Sequence, residues 1–223
     1  MKKLSIYILL FLGSMEAHAQ QDAQAKSILN AVSKKFKAYA IVKADFTFLL
    51  DNPQAGGKQS QNGALIVNSK AGKYKVTLFD PVNKVATDQE IISDGKTQWT
   101  YLLKDKEVQV NNAGKSEDEM NPSQLFTMYE HGYKYIYNGD EKLNGKLCAV
   151  IDLSPENIDK PFFKIRLYID KAKQQIYSAI MFDKSGARYT YTLNTITPNV
   201  KVPDDTFVFD KSKHPGVDVV DLR

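Results

Sequence analysis

Ten short segments of this chain share the pattern that most restricts its fold: they are rich in β-branched and aromatic residues and are bounded by turn residues. Asn62-Gly63, Asp94-Gly95, Asn138-Gly139, Asn144-Gly145 and Lys184-Ser185-Gly186 are among the turn signals between them. Many short strands at this spacing predict one large, strongly curved antiparallel sheet or a barrel. The segments are 43–50, 63–69, 72–80, 97–103, 106–111, 133–139, 146–154, 163–170, 175–183 and 187–196.

Apolar and polar residues alternate within these segments, so one face of the predicted sheet is apolar and the other faces water. The apolar sets include Tyr74, Val76 and Leu78, then Ile165, Leu167 and Ile169, then Tyr189, Tyr191 and Leu193. Nothing in the pattern predicts a second sheet. A single sheet with one apolar face has to cover that face with helices or with a ligand.

Two segments carry helical signals. From Ala25 onward, Ile28, Leu29, Val32 and Phe36 recur at steps of three and four residues, which predicts an amphipathic helix. In the second segment, Asn121 is a suitable cap, Pro122 fits the first helical position and Gly132 can end the helix. Its apolar side consists of Leu125, Phe126 and Tyr129. Two short helices cover little of a large curved sheet, so we expect a hollow between helices and sheet.

The first residues resemble a secretory signal peptide. Lys2 and Lys3 precede an apolar run from Leu4 to Leu12, and Ala17-His18-Ala19 offers the small residues of a cleavage site. We expect residues 1–19 to be cleaved, which leaves residues 20–223 as one soluble domain in the periplasm. A retained anchor is the alternative, but a membrane-spanning helix needs roughly 20 apolar residues. No cysteine near the cut offers a site for a lipid anchor.

Charge and motif content argue against several other classes of protein. The formal net charge is only +4 at pH 7 and the lysines are scattered, so no nucleic acid partner is predicted. His131 and His214 are far apart in the sequence, which argues against a metal site or a histidine-based catalytic site. The lone Cys148 is expected to be a small buried side chain. No phosphate-binding loop, nucleophile elbow or dinucleotide fingerprint occurs, and we predict neither enzymatic activity nor a cofactor.

Several stretches, taken together and in order, resemble a known family. After the N-terminal amphipathic helix come ADFTF at 44–48, GALIV at 63–67 and SDGKTQWTY at 93–101, then NPSQLF at 121–126 and DTFVFDKSKHPGVDVVDLR at 205–223. This combination resembles the bacterial outer-membrane lipoprotein carrier family, LolA, over nearly the whole mature chain. The SDGKTxWxY element contributes most of the specificity, because each of the other stretches is weak by itself.

The resemblance implies a fold and a function. The fold class would be mainly β with short helices: a single strongly curved antiparallel sheet, an incomplete β-barrel, with a helical lid over an apolar cavity. The protein would carry triacylated lipoproteins through the periplasm as a monomer. It would receive them from an ATP-driven inner-membrane transporter of the LolCDE type and deliver them to an outer-membrane receptor of the LolB type, where one exists.

The resemblance also implies which residues line the acyl-chain cavity, although plain core packing is an open alternative for Trp99. In better-known carriers an arginine that follows the strand matching GALIVN is implied to bond to the lid. Ser69-Lys70 stands there in this chain, so the way in which the lid is held is left open. The expected cavity residues are Phe46, Phe48, Leu65, Val67, Tyr74, Val76, Leu78, Trp99, Tyr101, Leu125, Phe126, Tyr189 and Tyr191.

Two other functions compete with the carrier hypothesis. Periplasmic regulators of envelope stress reuse this fold to sense stray lipid or lipoprotein, but they usually carry a second domain. A lipid-hydrolysing enzyme would also need an apolar pocket, but no Ser-His-acid order stands out in the sequence.

Overall fold

A computed structural model describes the backbone of residues 16–54, 56–114, 126 and 128–223, and the side chains of those residues apart from 16–22 and Met128. Within these residues there is one α-helix, α1 (Glu16–Ala38), and there are twelve strands. The strands are β1 (Val42–Asn52), β2 (Gly57–Asn68), β3 (Lys73–Phe79), β4 (Thr87–Ser93), β5 (Thr97–Leu102), β6 (Glu107–Asn112), β7 (Tyr133–Leu143), β8 (Lys146–Pro155), β9 (Phe162–Asp170), β10 (Gln175–Asp183), β11 (Arg188–Pro198) and β12 (Asp218–Asp221).

All twelve strands belong to one open, curled sheet, which confirms the predicted mainly β fold. Their order is β12-β6-β5-β4-β3-β2-β1-β11-β10-β9-β8-β7. The antiparallel pair of β1 and β11 joins the two halves of the chain, and the sheet ends at β12 on one side and at β7 on the other. The sheet is antiparallel except at β12, which pairs parallel to β6 and was not predicted. β4 was not predicted either, because its first half, Thr87 to Glu90, is polar.

Two of the predicted turns are wrong. Asn62-Gly63 lies in the middle of β2, where the ring of Phe46 on β1 covers Gly63. Asn138-Gly139 lies inside β7, where the pairing with β8 shifts register. Asn144-Gly145 is a turn as predicted, with positive φ at both residues, because an Asn-Gly pair tolerates the left-handed conformation.

Helix α1 packs on one face of the sheet, which is called the inner face below. Its buried residues Ala25, Leu29, Val32 and Phe36 belong to the main core, as the helical periodicity predicted. The same core includes the apolar residues on one face of β8 and β9, among them Ile151 and Leu167, which are fully buried, whereas Cys148, Val150 and Tyr168 form a separate small cluster. None of the helical residues described forms a segment both long and apolar enough to span a bilayer.

The structure describes only part of the second predicted helix, Asn121 to Tyr133. Residues 121–125 and 127 lie outside the described residues, and Met128–Glu130 forms a 3-10 turn. The leader prediction concerns residues 1–19, of which residues 1–15 also lie outside the described part.

Candidate functional site

Nine of the predicted cavity residues share the inner face of β1, β2, β3 and β11. Strand register places Phe46 opposite both Gly63 and Leu193, and Leu65 opposite Val76, so their side chains point to the same side. All nine belong to the main core or pack against it. They are Phe46, Phe48, Leu65, Val67, Tyr74, Val76, Leu78, Tyr189 and Tyr191.

This inner face changes from fully buried to half-buried along the strands. Phe46, Leu65 and Val76 are each 1 % exposed. Farther along β1, Phe48 and Leu50 are half-buried, and so are their partners Tyr189 and Tyr191 on β11. Water-accessible aromatic groups therefore continue directly from the closed core, which leaves apolar surface available to a ligand.

The half-buried end is built from contacting rings. The ring centroid of Phe48 lies 5.0 Å from that of Tyr191 and 6.2 Å from that of Tyr189, and the Phe46 and Tyr191 centroids are 6.1 Å apart. Burial, with a smaller effect of Tyr189, raises the pKa of Tyr191 to about 12, so its hydroxyl stays neutral. A neutral aromatic surface of this kind suits hydrocarbon better than a charged ligand.

Gly63 leaves room for the Phe46 ring on this surface. A Cβ atom added at Gly63 would lie 2.3 Å from the Cζ atom of Phe46, which is far inside van der Waals contact. The Phe46 ring therefore rests directly on the backbone of β2, an arrangement in which a cross-strand aromatic ring covers a glycine.

Trp99 and Tyr101 were predicted to line the same interior, and this placement is wrong. The inner-face row runs from Val76 through Ile91 to Thr100, so Trp99 and Tyr101 project from the opposite face, called the outer face below. The Tyr101 ring contacts Phe209 at 5.3 Å and His214 at 4.7 Å between centroids. The C-terminal segment thus packs over the outer face at β5, which alternation within β5 could not reveal.

Two described residues of the mid-chain segment, Phe126 and Glu130, contact α1. Phe126, 3 % exposed, stacks on Phe36 with ring centroids 4.1 Å apart. The Ser33 hydroxyl donates a hydrogen bond to Glu130, and the Lys37 ammonium lies 2.6 Å from the Glu130 Oε1 atom. We call Ser33, Lys37 and Glu130 the latch. Leu125, the remaining predicted cavity residue, lies outside the described residues.

The latch is an electrostatic contact in a partly buried place. Desolvation would raise the pKa of Glu130, but the hydrogen bonds from Lys37 and Ser33 outweigh it and hold that pKa below its usual value. Lys70, which stands where better-known carriers are implied to have the lid-binding arginine, is exposed and forms no ion pair with any described residue. The only sequence signal for the latch was Ser33, a polar residue beside Val32 on the apolar side of α1.

Two hollows in the described part of the chain lie at the C-terminal end of α1. One is an apolar slot between Phe36, Phe126, Ile176 and Ile196, and its ≈ 20 Å³ is about the room that one water molecule needs. The other is a larger groove of ≈ 380 Å³ with polar walls, among them Lys35, Lys146 and Lys173. The slot is far too small to hold a hydrocarbon chain while Phe126 lies against Phe36.

The described residues contain no group of three side chains suited to hold a metal ion. A buried polar atom without a partner among them is the hydroxyl of Tyr129, whose residue is 4 % exposed. Burial, followed by the nearby Glu130 carboxylate, raises the pKa of this hydroxyl well above its usual range. The hydroxyl therefore stays protonated and can act as a donor.

Known proteins resemble the chain over most of its length. A family described as outer membrane lipoprotein carrier protein LolA matches residues 37–210. The outer-membrane lipoprotein carrier protein of Actinobacillus succinogenes is 27% identical, covering 100% of this chain and 96% of the relative. That of Pasteurella multocida is 26% identical, covering 99% and 96%. An uncharacterized conserved protein from Thermus thermophilus has the same fold, with a TM-score of 0.60 at 13% identity over 89% of this chain and 99% of that one.

Proposed function

The chain belongs to the LolA family of outer membrane lipoprotein carrier proteins, and from this membership we propose that it shields the acyl chains of lipoproteins while they cross the periplasm. Its cargo would leave the inner membrane and be delivered to the outer membrane. The protein acts by binding and release, without chemical change to the lipid.

One structural observation carries the proposal: the half-buried ring cluster of Phe48, Tyr189 and Tyr191 on the inner face. The cluster continues from the closed core of Phe46 and Leu65, so hydrocarbon that lies on it also extends an existing apolar surface. The hydroxyl of Tyr191 is at the edge of its ring, and burial raises its pKa to about 12, so it stays neutral and does not repel hydrocarbon.

The energy of exposing acyl chains explains why such a surface is needed. Burial of one methylene group is worth about 0.8 kcal/mol. Three chains of roughly 15 methylenes each would therefore cost on the order of 36 kcal/mol to expose fully to water. A protein surface that replaces membrane contacts removes most of that penalty, and transfer can then proceed without free lipid in water.

Release is favoured by a stable empty state, which the latch provides. Its hydrogen bond from Ser33 and ion pair with Lys37 hold the 126–130 segment on α1, where Phe126 stacks on Phe36. Cargo entry breaks these contacts and cargo departure restores them, so part of the energy of cargo binding is returned when the segment closes.

The exchange partners follow from the direction of transport. An inner-membrane ATP-driven transporter of the LolCDE type would load the carrier, and an outer-membrane receptor of the LolB type would unload it where such a receptor exists. The working location is the periplasm, reached after cleavage of residues 1–19, and the active form is a monomer of residues 20–223.

Release of a triacylated lipoprotein from membranes tests the proposal. Vesicles containing the transporter and a lipoprotein are incubated with ATP and the purified protein, and a soluble one-to-one complex is expected after sedimentation. Tyr191→Glu should abolish this release because it places a carboxylate among the rings. Thr190→Glu is the matched control, since residue 190 is next in the same strand and faces the outer side.

Three results would contradict the proposal. The first is lipoprotein that stays in the vesicles with the unmodified protein. The second is equal release with Tyr191→Glu and with Thr190→Glu, provided that both variants keep the circular dichroism spectrum of the unmodified protein. The third is hydrolysis of a lipid ester, which would identify an enzyme instead.

A further inference from the structure

The hydroxyl of Tyr129 is a buried polar group that lacks a hydrogen-bond partner among the described residues. Its residue is 4 % exposed, belongs to the main core and finds no hydrogen-bond partner among the described residues. Buried hydroxyls in proteins nearly always have a partner, because leaving one unsatisfied is unfavourable. A group of this kind calls for a partner that is absent from the empty protein.

The carboxylate next to Tyr129 in the chain is already occupied. Glu130 accepts from Ser33 and is paired with Lys37 at 2.6 Å. Phe126, three residues earlier, is committed to the ring of Phe36. Because Tyr129 lies between these contacts, movement of the 126–130 segment that opens the latch also moves the hydroxyl.

The surroundings define what the missing partner can be. Tyr129 stays protonated, because burial and the Glu130 carboxylate both oppose its ionisation, so it offers a hydrogen and needs an acceptor. A carboxylate or phosphate is disfavoured, since the Glu130 carboxylate is close and the Lys37 ammonium is already bound to it. A neutral oxygen carried on hydrocarbon fits both the apolar core and the unpaired donor.

We propose that the Tyr129 hydroxyl donates a hydrogen bond to the carbonyl oxygen of an acyl ester in the bound cargo. This inference rests on the proposed carrier function and adds a site of chemical selectivity to it. The ester carbonyl stands at the head of an acyl chain, and Tyr129 belongs to the same core that the inner-face rings pack against, so hydrocarbon entering this core carries its ester group towards the Tyr129 hydroxyl. The empty state carries an unsatisfied donor, and cargo with ester bonds removes that defect.

Ester-linked and ether-linked lipids separate this role from ordinary apolar contact. The probes are a synthetic lipopeptide with two ester-linked chains and its dialkyl ether counterpart with chains of equal length, and both are titrated against the full chain. The unmodified protein should bind the ester probe about 5- to 10-fold more tightly, as one hydrogen bond predicts. Tyr129→Phe should bind the two probes equally while keeping the affinity for the ether probe.

The same variant gives an independent readout without ligand. Tyr129→Phe removes the unsatisfied oxygen and keeps the ring, so the empty protein should melt about 2–4 °C higher. Tyr135→Phe is the matched control on the inner face of β7, where the tyrosine is half-buried, and it should leave the ester preference intact.

The outcomes distinguish the two proposals. Equal binding of both probes by the unmodified protein overturns the ester-recognition site and leaves the carrier function standing. The ester-recognition site is also overturned if Tyr129→Phe leaves the ratio of the ester-probe and ether-probe affinities unchanged. Failure to bind either probe overturns the carrier function and the site together. Loss of the preference in Tyr129→Phe but not in Tyr135→Phe establishes the site.

Discussion

One continuous sheet buries opposite faces in two of its regions. In β1–β3 and β8–β11 most buried apolar residues point to the inner face, as Leu65 and Leu167 do, and only a small cluster of Cys148, Val150 and Tyr168 is buried on the outer face among the described residues. In β4–β6 the opposite face is buried: Ile92, Val108 and Val110 are buried on the outer face. Their neighbours on the inner face include Gln98, Thr100 and Gln109, which are half-buried and polar.

The two regions differ in what covers them. α1, Phe126 and Tyr129 cover the inner face of the first region, and the proposed transport cycle opens the latch contacts that hold them together. The C-terminal segment covers the outer face of the second, where the rings of Tyr101, Phe209 and His214 pack together. The pairing of β12 with β6 holds the end of this C-terminal segment against the sheet. We infer that the first region is the exchangeable site and that the second is a permanent structural core.

The largest effect is expected from damage to the permanent core. Phe207, 5 % exposed, lies in the 3-10 turn Asp204–Phe207 of the C-terminal segment. Phe207→Ala should lower the free energy of unfolding by about 3–5 kcal/mol, measured by urea denaturation, because it leaves a large buried void. The folded fraction should bind the ester lipopeptide normally. Weaker lipid binding by fully folded Phe207→Ala would show that the two regions are not separate.

A smaller effect is expected where the inner face is most closely packed. Gly63→Ala forces the Phe46 ring to move, since the new Cβ would lie 2.3 Å from the ring. We expect a loss of about 1–3 kcal/mol in the free energy of unfolding, the usual range for an overpacked core. Gly63→Ala combined with Phe46→Leu should recover part of it, and simple additivity of the two changes would argue against the contact.

Gly63 also shows how far sequence reasoning reaches. Asn62-Gly63 is a strong local turn signal, and only the cross-strand ring of Phe46 reveals why a glycine stands inside β2. Alternation predicted correctly that Tyr74, Val76 and Leu78 share a face, because the period of two is a local property. Trp99 and Tyr101 were misplaced, because which of two faces is covered depends on a segment about 110 residues later in the chain.

The latch could not be predicted from the sequence for a similar reason. Ser33 and Glu130 are separated by 97 positions, and Lys37 and Glu130 by 93. Nothing in the local pattern of either segment selects these partners from the many lysines and carboxylates of the chain. The helix itself was predictable, because Leu29, Val32 and Phe36 repeat with the helical period.

The smallest effect is expected at the latch, and it should depend on pH. Glu130→Gln should reduce the free energy of unfolding at neutral pH by roughly 1 kcal/mol, because the Lys37 side chain is 55% exposed and water weakens the pair. The folded-state pKa of Glu130 is depressed, so its contribution is present above the unfolded-state pKa and is lost as pH falls through the folded one. The difference between the two proteins should therefore begin to shrink as pH falls towards the ordinary glutamate pKa of about 4.3, and it should disappear at a lower pH, below the depressed folded-state pKa.

Lys70→Gln is the control for Glu130→Gln, and it tests whether the latch on α1 belongs to the exchangeable region. Lys70 is exposed on the β2–β3 turn and forms no ion pair with Glu130, so its replacement should change neither the free energy of unfolding nor its pH dependence by more than about 0.5 kcal/mol. Glu130→Gln should in addition speed lipid exchange, since the empty state closes less firmly. If Lys70→Gln speeds exchange and Glu130→Gln does not, the segment is held from the β2–β3 turn during transport, and the latch on α1 belongs to the permanent core instead.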